Sequence, residues 1–170
     1  ISNEEFMENT KGWLDNLKLR ASFGITGVIP GSSYMSLLRY DYDTSYGNYV
    51  DANGVWSPSL SPISNANPDL RWEKSTEYNI GLDLGFFGNR LYANIDLYNK
   101  VTSDMLWEYS VPVPPNLYGY TTANVGSMSN QGIEVLIGGT PVQTKNFEWN
   151  STLTLAHNRN KLINMSNDLY

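Results

Sequence analysis

Apolar and polar residues alternate one by one in five stretches of this chain. Leu17, Leu19, Ala21, Phe23 and Ile25 interleave with Lys18, Arg20, Ser22, Gly24 and Thr26. Tyr78, Ile80, Leu82, Leu84 and Phe86 interleave with Glu77, Asn79, Gly81, Asp83 and Gly85. Leu91, Ala93, Ile95 and Leu97 interleave with Tyr92, Asn94, Asp96 and Tyr98. Ile133, Val135 and Ile137 stand against Gly132, Glu134, Leu136 and Gly138. Phe147, Trp149, Leu153 and Leu155 stand against Glu148, Asn150, Thr152 and Thr154. A period of two marks a strand with one apolar and one polar face. The pattern predicts strands near 16–26, 72–86, 90–101, 124–138 and 147–158. Helical spacing is almost absent. A one-residue slip would turn each apolar row to the other face, so strict alternation pins the pairing.

The connections differ in kind. Phe87-Gly88-Asn89 is a tight turn, with Gly and Asn where positive φ is expected. Residues 139–146 form a short polar link. The segments 27–70 and 102–123 are long loops rich in Tyr, Asn, Ser, Gly and Pro. Loops of that length in a compact domain are usually functional or disordered. Connections therefore run long, short, long, short. An outer-membrane β-barrel has this asymmetry, with short periplasmic turns and longer extracellular loops, and its strands alternate apolar-out and polar-in. Trp72, Phe86, Phe87, Trp107, Phe147 and Trp149 near strand ends suit an interfacial girdle. A soluble carbohydrate-binding β-sandwich, with the apolar rows packed inside, shares the alternation.

Composition narrows the chemistry. Charged residues make up 16% of the 170, below the about 25% of an ordinary soluble domain. The net charge of −6 argues against phosphate-neutralising nucleic-acid binding. No Cys is present, which removes disulfides, thiol nucleophiles and Cys-ligated metal. The one histidine, His157, lies near a predicted strand end with no local motif for a triad. Asp41-Tyr42-Asp43-Thr44-Ser45-Tyr46-Gly47 resembles the opening of a calcium loop. Its Gly is one place late, however, and Ala52 stands where the closing Glu belongs. No enzyme, cofactor or metal site is expected. No apolar run approaches the roughly 18–20 residues of a membrane-spanning helix. The polar start Ile1-Ser2-Asn3-Glu4-Glu5, without Met, reads as the beginning of an internal segment or a mature fragment.

Three motifs carry a resemblance. Residues 67–83, NPDLRWEKSTEYNIGLD, continue through Gly85-Phe86-Phe87-Gly88-Asn89-Arg90-Leu91 and Asp96-Leu97-Tyr98-Asn99-Lys100. Asn124-Val125-Gly126-Ser127-Met128-Ser129-Asn130-Gln131-Gly132-Ile133-Glu134 follows, and Leu17-Lys18-Leu19-Arg20-Ala21-Ser22-Phe23-Gly24 precedes. In that order they resemble the C-terminal half of the barrel in SusC-like TonB-dependent outer-membrane transporters, the RagA/SusC family. Gln131 and Phe23 replace the Lys and Tyr often found there. The resemblance implies an all-β fold of antiparallel transmembrane barrel strands, about five of them here, with two long extracellular loops. It implies energy-coupled nutrient import across the Gram-negative outer membrane, of oligosaccharide or, in some members, peptide. It also implies a SusD-like surface lipoprotein over the loops and a TonB complex. The plug domain and TonB box have no counterpart within these residues.

Substrate contact is expected in the first long loop. Tyr34, Tyr40, Tyr42, Tyr46, Tyr49 and Trp56 stand among Asp, Asn, Ser and Gly. Ring faces stack on sugar C–H groups while amides, carboxylates and hydroxyls bond sugar hydroxyls. The competing reading is a tyrosine-rich loop packed on itself or on a lid protein. In the second loop Pro112, Pro114 and Pro115 stiffen the backbone into a shaped wall.

Overall fold

The structure is a computed structural model that describes residues 4–10, 12–29 and 31–165. A short 3-10 helix, Glu5–Thr10, precedes seven strands. These are β1 (Leu14–Val28), β2 (Arg39–Val50), β3 (Trp56–Ser64), β4 (Glu73–Phe86), β5 (Leu91–Ser110), β6 (Tyr120–Gln143) and β7 (Glu148–Asn164). β1, β4, β5, β6 and β7 form one sheet in that order, and β2 and β3 form a second. The chain divides into two compact units. One comprises Ile1–Thr26, Ser75–Thr102 and Met128–Leu162, the other Gly27–Lys74, Ser103–Ser127 and Ile163–Tyr170.

In the first unit the cross-strand contacts set direction and register. Ser75 bonds Thr102 and Asp83 accepts from Asn94, so numbers rise in β4 as they fall in β5. A parallel pair would need a crossover of a dozen or more residues, whereas four join these strands. The pairs Arg90–Thr140, Tyr98–Gly132, Thr140–Asn150 and Ser129–Lys161 give the same antiparallel sense to β5, β6 and β7. Tyrosine rings lie over glycines. A Cβ on Gly132 would stand 2.5 Å from the Tyr98 hydroxyl oxygen, and one on Gly138 would collide with the Tyr92 ring. Such ring-over-glycine pairs cover bare backbone and lock register.

The apolar rows stay uncovered. Leu19, Ile80, Leu97 and Leu155 are 58%, 55%, 49% and 56% exposed. Leu14, Ala123 and Val125 are the buried apolar residues among those described. A β-sandwich would bury these rows between two sheets. Their exposure sets that alternative aside and matches strands whose apolar face is made for lipid.

The second unit corrects the expected loops. The segment 27–70 holds β2 and β3, paired antiparallel from Arg39↔Ser64 to Val50↔Trp56. In β3, Trp56, Pro58, Leu60 and Pro62 alternate with Ser57, Ser59 and Ser61. This is a period of two written in proline and serine, outside the usual strand vocabulary. β5 runs on to Ser110 and β6 begins at Tyr120, so the second loop shortens to 111–119. At its far end β6 continues to Gln143, reducing the expected 139–146 link to 144–147. Strand pairing supplies each added residue with a ladder for its backbone groups, which a free loop would leave to water.

Asparagines stitch the remaining coil of this unit. Buried Asn65 donates through Nδ2 to the Tyr118 and Tyr120 carbonyls at 2.6 and 2.8 Å. Its Oδ1 accepts from the Leu117 and Tyr118 amides at 3.2 and 3.0 Å. Asn67 donates to the Thr122 carbonyl, and Asn124 bonds both backbone groups of Arg71. The segment 65–71 thus binds alongside residues 117–124 without becoming a strand.

Candidate functional site

The β2–β3 hairpin carries most of the aromatic residues expected to touch substrate. Its turn is closed by Asp51, whose carboxylate accepts from the Asn53 and Val55 amides at 2.9 and 2.8 Å. Gly54 follows with φ 77°, a conformation that costs glycine little. The Val55 bond, followed by those from Asn53, holds the Asp51 carboxyl below its ordinary value.

The register sorts the candidates by face. Tyr40 opposes Pro62, Tyr42 opposes Leu60 and Trp56 opposes Val50, all on one side. Tyr49, opposite Ser57, falls on the other side with Asp41 and the serines. A register shift between Asp43 and Asn48 brings the two β2 segments into this arrangement. Tyr42 and Trp56 are 67% and 69% exposed. Tyr34 stands apart, in the turns before β2, exposed and with φ 61°. The Tyr46 backbone belongs to β2, and its side chain lies outside the described residues. The hairpin therefore puts Tyr40, Tyr42 and Trp56 on one face and Tyr49 on the other, with Tyr34 outside it. The acidic run 41–47, expected as a loop, lies within β2, and Asp41 Oδ1 accepts from the Tyr42 amide. In the same unit a cleft of about 50 Å³ is lined by Arg39, Ser64, Asn65, Glu108, Tyr118 and Tyr120.

The polar rows of the first unit hold a charged constellation that alternation alone does not reveal. Arg20 on β1 donates to both Asp83 oxygens from Nε, at 3.1 and 3.0 Å, and from Nη2 to Oδ1 at 2.9 Å. Nη2 also reaches Asp96 at 3.0 Å, and Asn94 donates to Asp83 at 2.8 Å. Gly81 makes room: a Cβ there would stand 2.6 Å from the guanidinium and from Asp96. Two carboxylates share one cation across three strands, on the face opposite the apolar rows. Only the register could have found it, because the three residues are far apart in sequence.

Exposed apolar rows on one face, a charged and hydrogen-bonded opposite face, tight turns and long connections define a wall segment of an outer-membrane-type β-barrel. The family model for the TonB dependent receptor-like β-barrel matches residues 12–168, and the chain belongs to that family. It is 34% identical to TonB-dependent receptor SusC of Bacteroides thetaiotaomicron, covering 98% of this chain and 16% of that one. A TonB-dependent receptor of Formosa agariphila is also 34% identical, over 99% of this chain and 15% of that one. The solved structure of the RagAB peptide transporter superposes with a TM-score of 0.79 at 31% identity, over 98% of this chain and 17% of that one. The chain thus spans about one-sixth of the relatives it matches.

Proposed function

We infer that this chain is part of a transporter wall, in a protein importing oligosaccharide across the Gram-negative outer membrane. The single observation behind the substrate class is the shared face of Tyr40, Tyr42 and Trp56 on a hairpin that otherwise offers hydroxyls and carboxylates. Such a face stacks on sugar rings, while the tyrosine hydroxyls and Asn48 on the same side bond sugar hydroxyls. Energy would come through TonB, by way of plug and TonB-box segments outside these residues. A SusD-like surface lipoprotein would cover the long connections, whose exposed aromatics suit a protein lid. Catalysis has no place in this reading.

The test is uptake by cells carrying the full-length protein, offered labelled oligosaccharides and labelled peptides. The expected result is oligosaccharide uptake that needs TonB, with affinity reduced about tenfold or more by Tyr42→Ala with Trp56→Ala. Unchanged affinity in the double variant would remove the hairpin from the binding site. Peptide is the second reading, favoured by the likeness to the RagAB peptide transporter. Uptake of peptide alone would establish it in place of sugar.

A further inference from the structure

A groove of about 550 Å³ opens on the apolar side of the first unit. The strand register resolves its lining into two adjacent cross-strand rows. In one row Ile80, Leu97 and Ile133 lead across to His157. In the next, Tyr78, Asn99 and Gln131 lead across to Arg159. The step from the first row to the second is therefore the step from hydrocarbon-like to polar surface. Tyr78 marks it with an aromatic pair, its ring centroid 4.9 Å from that of Phe23. Lys161 stands one place further along the same outward row of β7, its carbonyl held by the Ser129 hydroxyl.

Charge is segregated between the faces. In the first unit Glu77, Asp83, Asp96, Glu134 and Glu148 of β4 to β7 all fall on the polar rows, with Arg20 among them. The apolar side carries Arg159, Lys161 and His157 on β7 and no acid from the first-unit part of these four strands. All three are exposed, and β6, the strand that flanks β7 in this chain, places no carboxylate beside either cation on that side. Two cations at the edge of a lipid-facing band, with no acid on the flanking rows of β6, would be unfavourable against hydrocarbon and favourable against an anionic headgroup. Along β7 the apolar stretch from Trp149 to Leu155 covers about 20 Å at the usual strand rise, so the cations stand just past the end of the band. The tight turns close the opposite ends of these strands, which puts the cations toward the outer leaflet.

We propose that this groove seats a phosphate-bearing lipid of the outer leaflet, with Arg159 and Lys161 on the phosphate and Ile80, Leu97 and Ile133 under the acyl chain. The inference rests on the outer-membrane reading given above. His157 and Gln131 border the headgroup and offer hydrogen bonds to its sugar or glycerol oxygens. Neither the transport path nor the β2–β3 hairpin is involved.

The experiment uses the full-length protein, extracted in mild detergent and examined by native mass spectrometry with diphosphorylated lipid A and with enzymatically dephosphorylated lipid A. Wild type should retain the phosphorylated lipid preferentially. Arg159→Gln with Lys161→Gln should lower that retention about tenfold or more and leave retention of the dephosphorylated lipid unchanged. Lys145→Gln, at the opposite turn, should change neither. Equal retention of both lipids, or an equal loss with Lys145→Gln, would overturn the site. Full displacement by inorganic phosphate would overturn the choice of a lipid. Heat-modifiable migration of the parent protein is scored separately. Its presence with no lipid preference refutes the lipid site alone, and its absence refutes the barrel reading as well.

Discussion

The tight turns of the first unit and the long connections of the second meet the same need by different means. At the β4–β5 turn Phe87, Gly88 and Asn89 all take positive φ, 56°, 69° and 58°. The exposed amides of Gly88 and Asn89 are caught by Asp15 at 2.6 and 3.2 Å, and that of Phe87 by the Trp13 carbonyl. At the β6–β7 turn Thr144 and Phe147 bond each other through backbone and hydroxyl. Short links are thus held by local backbone geometry and one capping side chain. In the long connections, Asn65 alone satisfies four backbone groups of a segment some fifty residues away. Backbone that leaves the ladder still needs partners, and a primary amide, with donor and acceptor side by side, imitates a missing strand.

The comparison can be broken most forcefully on the lipid-facing rows. Leu82→Arg or Ile95→Arg in the full-length protein should cost about 2–4 kcal/mol if the site lies near the bilayer midplane. Urea titration of folding into bilayers measures it, and an unchanged midpoint would contradict the lipid-facing assignment. Next comes the register lock. Gly138→Ala should destabilise by about 1–3 kcal/mol through overpacking against Tyr92, and the loss should shrink when Tyr92→Ala is added. A purely additive double-mutant cycle would show that the ring does not lock the glycine.

In the second unit Asn65→Ala should cost about 1–3 kcal/mol, felt locally as faster hydrogen exchange at the amides of residues 117 and 118. Protection unchanged at those amides would mean that water replaces the asparagine without loss. The smallest effect belongs to Asp51. Its folded-state pKa lies below the ordinary 3.8, so its contribution is fully present above that value and is lost as pH falls through the folded one. Exchange of the Val55 amide should therefore gain an acid-dependent opening that Asp51→Asn lacks. Identical pH profiles would remove the carboxylate from the turn.

Much of the first unit was legible because aliphatic residues alternate with polar ones over whole strands, and the turn at Phe87-Gly88-Asn89 falls where Gly and Asn ask for it. The second unit was read as loop for a definite reason. β2 alternates tyrosine with aspartate, and β3 alternates proline and leucine with serine, so neither presents the aliphatic row that signals a strand. The site was half legible. Residue type brought Tyr40, Tyr42 and Trp56 to attention, but the shift between Asp43 and Asn48 decides that Tyr49 faces away from them. The Arg20–Asp83–Asp96 group and the Arg159 groove depend on register between strands, which no single strand contains.

The prolines of β3 bear on how the hairpin can recognise anything. The bond from the Asp51 amide to the Val55 carbonyl sets the phase: odd-numbered residues of β3 bond to β2, and even-numbered ones turn their backbone groups outward. Two of those outward positions are Pro58 and Pro62, which have no N–H to offer. An extended peptide seeking to add itself as a further strand would find Leu60 between two silent positions and no ladder to climb. Recognition at this edge is thereby confined to side chains, to rings and hydroxyls whose identities can change without inviting neighbouring chains to zip onto the hairpin.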